Sequence, residues 1–366
     1  MPSTQPALLD VRWLLGIGGI ARVGQHIIAG LGELDPPGFN LVLWGEPGHI
    51  GDHPDWCRIQ PTTRVGCELY AQRELFDVPA HSGGLYLQQQ RPLRDWRTAT
   101  IIHDTIQLRA PSDGVVQKRL RAAFLGKVAR RSQVVLTVSE HARLAIERDL
   151  GRAASDITRL RLPMDVHLAA AVRSRRSELA ADPTWRPNDI LFVGRMGWNK
   201  NVDGLLRATA MASPDCTLRI FGARGHERDE IRRNGAAAGV EQLDVSVTTS
   251  ESALVDAYAN ARAVVLPSFE EGWGLPVWEA IACGIPVVAS TGGSLPELAP
   301  FSVAPFQSVD VTTSDEPLAE AISIVSDRGA PDPERMNLDS LAALQRGPTR
   351  AELARDILDA IAKTRA

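Results

Sequence analysis

Aromatic side chains are scarce in this 366-residue sequence, at 5%, and no basic stripe is interleaved with them. Without stacking platforms set in a cationic groove, nucleic acid is not an expected partner. Cysteine is scarce too. Cys57, Cys67, Cys216 and Cys283 form no C-x-x-C pair, which argues against a disulfide framework and makes a reducing, cytoplasmic compartment the simplest expectation. No apolar run reaches the roughly eighteen residues of a membrane span, and the N-terminal stretch MPSTQPALLD lacks the basic-then-apolar layout of a signal peptide. No D-x-D occurs anywhere. His49, His53 and Cys57 are evenly spaced, but Gly51 and Pro54 give that stretch turn chemistry, so no metal site is expected. Repeats at solenoid periods and low-complexity tracts are also missing.

What is present is a globular composition, 44% hydrophobic and 23% charged, in a chain long enough for two domains. The net charge of −4 conceals an asymmetry. Through Ala170, 20 Lys and Arg face 17 Asp and Glu; in the remainder, 20 face 27. The basic excess collects at Gln117–Arg131, QKRLRAAFLGKVARR, with six cations and no acid. Leu120, Phe124 and Val128 make an apolar helical face there. The plainer expectation is a core-packed helix with a solvated basic face. The alternative is peripheral contact of 117–131 with an anionic membrane, at its inner face, or with a phosphate-bearing lipid.

Along the chain, Val11–Leu15 reads as a strand, Gly16–Gly19 as a loop and Arg22–Leu34 as a helix. Leu41–Trp44, Leu85–Leu87, Thr98–His103 and Val134–Val138 read as strands, and Ser139 as the cap of a further helix. Pro163, Pro183 and Pro187 mark a crossing between domains. Strand and helix then alternate again: Ile190–Val193, Val202–Ala212, Thr217–Phe221, Arg228–Ala238, Leu243–Val247 and Ser250–Asn260. Pro317–Val325 and Thr349–Lys363 close the chain as helices. This is the βαβ pattern of two doubly wound α/β domains.

The densest signal is Ala263–Glu297, AVVLPSFEEGWGLPVWEAIACGIPVVASTGGSLPE. A short β-branched strand ends at Pro267 and Ser268, Gly272 and Gly274 punctuate a loop, and Pro276 opens a helix that Gly284 stops. Glu271 lies on the loop and Glu279 in the helix. A carboxylate, backbone N–H groups and a helix N-terminus thus meet at the carboxyl end of a parallel strand, where such sheets bind ligands. The run resembles the E-x7-E segment of retaining, nucleotide-sugar-dependent glycosyltransferases of GT-B family four (glycosyltransferase group 1). The resemblance implies a GT-B fold, two Rossmann-like domains facing across a cleft. It implies an acceptor-side domain at 1–165, a crossing at 166–187, a nucleotide-sugar domain at 188–348 and a C-terminal helix at 349–366. It also implies hexose transfer from a nucleotide diphosphate sugar to a carbohydrate or glycolipid, as in polysaccharide or glycolipid biosynthesis.

The family's G-R-x4-K-N pattern is matched by Gly194, Arg195, Lys200 and Asn201, which assigns the donor diphosphate to Arg195 and Lys200. By the same resemblance Glu271 contacts the donor sugar and faces the transferring centre, and Glu279 takes the ribose hydroxyls. Gly272, Trp273, Gly274 and Leu275 border the sugar and phosphate, and Gly222 and Thr248 lie on the base side. Trp273 stands where the family usually has Phe. His103 and Asp104, in IIHDT, resemble the HD pair of many mannosyl- and rhamnosyltransferases. In GGIARVGQHIIAGL, Gly18 and Gly19 are donor-side and Arg22 an acceptor contact. At the expected hinge, LRLPMDVH replaces the family's IPNGVD. A GDP-linked donor is favoured over UDP or dTDP, with no cofactor and no metal. Two rivals stand beside this reading. One is a catalytically silent carbohydrate- or nucleotide-binding scaffold. The other is an NAD-dependent oxidoreductase, since Gly16, Gly18 and Ala21 satisfy G-x-G-x-x-A and Glu46 follows the next strand.

Overall fold

The computed structural model describes residues 6–15, 19–45, 47–50, 52–61, 83–87, 98–212, 214–247 and 250–365. The chain divides into two compact units, 1–163 with 348–366, and 164–347. Among the described residues no helix is long and apolar enough to cross a membrane.

In the first unit, β1 (Ala7–Asp10), β2 (Leu41–Gly45), β3 (Cys57–Pro61), β4 (Gly84–Tyr86), β5 (Thr98–Ile101), β6 (Val134–Thr137) and β7 (Ile157–Arg159) form a parallel sheet in the order β3-β2-β1-β4-β5-β6-β7. Every residue of β1, β4 and β5 is buried, as expected for strands covered on both faces. The first strand is not Val11–Leu15. It ends at Asp10, and Arg12–Leu15 is a short 3-10 helix. Asp10 causes the change: its Oδ1 accepts from Arg12 backbone N–H at 3.1 Å and Nε at 2.8 Å, and Oδ2 from Nη2 at 2.9 Å. The turned guanidinium then stacks 3.8 Å from the Trp44 ring. The helix that follows spans Gly19–Leu31.

The second unit holds β8 (Asp189–Val193), β9 (Thr217–Phe221), β10 (Leu243–Ser246), β11 (Ala261–Leu266), β12 (Val287–Ser290) and β13 (Phe306–Val309), parallel and ordered β10-β9-β8-β11-β12-β13. Its helices Val202–Ala212, Glu251–Asn260 and Leu275–Ala282 lie where the alternation placed them. The segment expected as a crossing, 166–187, instead contributes the helix Val166–Leu179 to this unit. That helix carries Leu168, Val172 and Arg176 into the interior. Three edge strands and two helices were absent from the sequence reading: β3, β7, β13, the four-residue Pro47–Ile50 and Pro333–Arg346. The strands bury one residue each, so they lack the apolar signature.

The terminal helix, Arg350–Arg365, belongs to the first unit. It packs Leu353, Ile357 and Ile361 inward, and Gln133 Nε2 donates to Lys363 O at 2.8 Å.

Candidate functional site

In the second sheet the strand order turns outward on either side of the β8–β11 pair, so two loops leave in opposite directions from their carboxyl ends. The β8 loop carries Arg195, exposed, and then the 3-10 turn Trp198–Lys200. Asn201 follows in the left-handed conformation, at φ 52°, and reverses the chain into helix Val202–Ala212. Asparagine tolerates that geometry better than most residues, which gives the K-N pair a local physical reason.

The β11 loop brings Glu271 to Lys200. Lys200 Nζ lies 2.6 Å from Glu271 Oε1, and Ser268 Oγ donates to the same oxygen at 2.6 Å. The two loops are tied by backbone as well, with Phe269 N–H donating to Asn199 O at 2.7 Å and Asn199 Nδ2 to Glu270 O at 2.9 Å. Ser268 is itself held, because Ser290 Oγ at the end of β12 donates to its carbonyl. Ser294 N–H and Oγ both reach Glu271 O, at 3.1 and 3.2 Å. Glu271 is thereby buried yet fully oriented, with Oε1 doubly engaged.

Gly274 ends the loop at φ 88° and precedes helix Leu275–Ala282, which has Pro276 in its first turn. Gly272 is buried beside it, and Leu275 is half-buried. Trp273 stacks edge-on with Trp278 at 5.4 Å between centroids, and Trp278 with Phe301 at 5.0 Å. Glu279 sits one turn along the helix, buried, and accepts from Tyr258 OH at 2.5 Å. Gly222, at the end of β9, has φ 101° and runs against the backbone of Gly194. Thr248 lies outside the described residues.

In the first unit, Gly19 is the first residue of its helix and Arg22 is half-buried one turn later; Gly16, Gly18 and Glu46 lie outside the described residues. His103 follows β5, and its Nε2 is 2.9 Å from Leu87 O, just past β4. A carbonyl only accepts, so Nε2 carries the proton and Nδ1 is left as an acceptor in the neutral ring. Burial pushes the imidazole below its ordinary value, against the opposing pull of that hydrogen bond. Asp104 has a local task, since its Oδ1 accepts from Ile106 N–H at 3.0 Å. Cys57 is a buried β3 residue whose thiol is pushed up to about 12 by burial. Among the described residues no three His, Cys, Asp or Glu side chains are grouped to hold a metal.

Residues 177–337 match the family model described as glycosyl transferases group 1, and that span lies within the second unit. That span is similar to the glycosyl transferases group 1 family. It is 29% identical over 248 residues to the O-antigen chain mannosyltransferase B of Escherichia coli, covering 63% of this chain and 61% of that one. It is 34% identical over 157 residues to the D-inositol 3-phosphate glycosyltransferase of Rhodococcus jostii (strain RHA1), covering 40% of this chain and 33% of the relative. The matches therefore span under two thirds of these relatives' lengths. Solved structures match nearly end to end. Anabaena HepE in complex with UDP and glucose aligns with a TM-score of 0.70 at 15% identity, over 98% of this chain and 99% of that one. Sucrose-phosphate synthase from Thermosynechococcus elongatus aligns with a TM-score of 0.68 at 19% identity, over 97% and 98%. The fold is GT-B, as the sequence resemblance implied.

Within the matched span, the structure joins Lys200 to Glu271 and sets Glu279 behind them. It also adds residues that sequence reasoning missed: Ser268, Ser290, Asn199 and Tyr258. Only Ser268 left a signal, as a hydroxyl three residues before a loop carboxylate. The others come from separate segments, and their pairing exists only once the sheet has formed.

Proposed function

We propose that this chain is a retaining glycosyltransferase that moves a hexose of mannose or rhamnose type from a nucleotide diphosphate sugar, GDP-linked, to a carbohydrate or lipid-linked acceptor. The observation that carries the reading is the Lys200–Glu271 contact of 2.6 Å at the switch point, beside the N-terminus of helix Leu275–Ala282. An ammonium and a helix N-terminus suit a departing diphosphate. Glu271 Oε2 remains to accept from a sugar hydroxyl. In the reaction the bond from the anomeric carbon to the diphosphate oxygen breaks. A bond to the acceptor oxygen forms on the same face, and the acceptor proton passes to the departing phosphate. Arg195 and Lys200 supply the charge that a metal supplies elsewhere, so transfer is expected to persist in excess chelator. Loss in EDTA with recovery in magnesium would overturn that part.

The O-antigen mannosyltransferase relative supports a mannose donor and a role in surface polysaccharide assembly. The HepE complex with UDP and glucose favours a UDP-linked donor as the second reading. Thermal shift with GDP, UDP, dTDP and ADP separates them, because a ligand stabilises the fold as its concentration passes its Kd. GDP should raise Tm most. Transfer from GDP-mannose, followed by NMR of the product's anomeric configuration, then tests retention. Stabilisation by NADH and by none of the four nucleotides would sink the assignment.

A further inference from the structure

Aromatic side chains are few in this chain. Among the described residues just two of them are exposed, Trp198 at 38% and Phe269 at 40%. Both lie at the candidate site: Trp198 opens the turn that carries Lys200, and Phe269 stands two residues before Glu271. Two residues span at most about 7 Å, so the Cα atoms of Phe269 and Glu271 are no further apart than that. Phe269 N–H donates to Asn199 O, and the two rings therefore leave the backbone one residue apart across that bond. Among the described residues neither ring stacks on another ring or on a cation, and Trp198 Nε1 has no acceptor. The backbone beneath them is fixed. Asn199 Nδ2 donates to Glu270 O, Ser290 holds Ser268, and a Cβ on Gly292 would lie 2.5 Å from Phe269 O. The loop after β12 thus runs against Phe269, and its Thr291 is exposed, with the hydroxyl unpaired among the described residues. Exposed apolar area on rigid loops beside a site marks a surface that a ligand covers.

We infer that Trp198 and Phe269 form a stacking subsite for a sugar ring of the acceptor, next to the ring that receives the hexose. The inference rests on the transferase reading proposed above and narrows it. The acceptor is a preformed oligosaccharide rather than a monosaccharide or a lone lipid phosphate, so an earlier glycosyl transfer must supply it. A pyranose matches the surface in both of its parts. Its C–H faces suit the aromatic rings, and its hydroxyl rim suits the Trp198 N–H and the Thr291 hydroxyl. A lipid tail would leave that N–H and that hydroxyl unused. A nucleobase would stack as well, but Gly222, the base-side residue by resemblance, ends β9, and β8 separates β9 from β11 in the sheet.

The whole protein is titrated calorimetrically with methyl α-mannoside and with α-linked mannobiose and mannotriose. The two oligosaccharides should bind more tightly than the monosaccharide. Trp198→Ala and Phe269→Ala should each weaken oligosaccharide binding by about two- to twelve-fold, the range for one aromatic stacking contact. Phe269→Tyr keeps a ring and should keep the wild-type affinity. The rise in Tm with GDP should be the same in all of these variants. No binding, affinity independent of saccharide length, or wild-type affinity in both alanine variants would overturn the inference. So would an equal loss of GDP and saccharide binding, which would put the rings on the nucleotide. A dimer dispersed by Phe269→Ala without any saccharide binding would make the rings a self-association surface instead. Release of GDP from GDP-mannose scores the transferase reading separately. Undiminished transfer to mannobiose by Trp198→Ala with Phe269→Ala removes the subsite and leaves the transferase. Ring-dependent saccharide binding with no GDP release removes the transferase and leaves a saccharide site.

Discussion

Glu271 and Glu279 have the same side chain eight positions apart and opposite surroundings. Glu271 shares one oxygen with Lys200 and Ser268 on the loop, whereas Glu279 is enclosed by the helix and Tyr258. Their amide variants should therefore fail differently. Glu271→Gln removes the carboxylate charge beside Lys200 and, on the function proposed above, should lower kcat by roughly 10²–10⁴-fold. Glu279→Gln should chiefly raise donor KM, with a smaller change in kcat. Steady-state kinetics at saturating acceptor decide, and an unchanged kcat for Glu271→Gln would remove its assigned role. His103 offers a test of another kind. The folded protein keeps its ring neutral in a range where the unfolded chain takes up a proton, because the folded value lies below the ordinary 6.5. Its contribution to stability is present above about pH 6.5 and is lost as pH falls further. Between about pH 7 and about pH 5 the wild type should lose more Tm than His103→Gln; equal losses would show that the group is not coupled to folding.

The helix Leu275–Ala282 is gripped at its far end. Arg176, fully buried, donates from Nη1 to Cys283 O at 2.7 Å, and Ser340 Oγ donates to Ala282 O at 2.6 Å. Arg173 Nη1 in turn donates to Ser340 Oγ at 2.9 Å. A cation at a helix C-terminus opposes the partial negative charge there. Burial brings the Arg176 guanidinium down to about 10 and the neighbouring Cys283 thiol up to about 12. Gly284 then turns the chain at φ 67°, with the Met336 carbonyl where a Cβ would go. Gly284→Ala combines an unfavourable left-handed backbone with a clash against backbone, and should cost at least about 2 kcal/mol. Chemical denaturation measures this, and a loss under about half of that would mean the helix end is free to shift. The proline and glycine bounding this helix were legible in the sequence. Arg176 was not, because nothing local distinguishes it from Arg173 or Arg175 on the same helix.

At the scale of the whole chain, two units are built from an interrupted first segment and a continuous second one. Helix Arg350–Arg365 completes the first unit with Leu353, Ile357 and Ile361 buried, and Arg161 pairs with Glu352 at 3.0 Å and Asp356 at 2.8 Å. Fully burying each aliphatic contributes about 1.5–3 kcal/mol, against a typical domain stability of about 5–15 kcal/mol. Deleting 348–366 should therefore unfold residues 1–163 while 164–347 keeps its hydrogen-exchange protection. Retained protection in both units would show that the helix is an accessory.

The sequence by itself determined the central strands of the second sheet and, apart from β1, those of the first, the helices that alternate with them, and the loop positions of Arg195, Lys200 and Glu271. Each of these is written in a local pattern: continuous burial, helical spacing, or glycine and proline at chain reversals. Tertiary structure decided the edge strands β3, β7 and β13, whose pairing comes from a neighbour rather than from their own apolar residues. It also decided the return of Arg350–Arg365 to the first unit, and the meeting of Lys200 with Glu271, Ser268 and Ser290. Those side chains come from loops far apart in the chain, and only the parallel register of β8, β11 and β12 sets them at one sheet end.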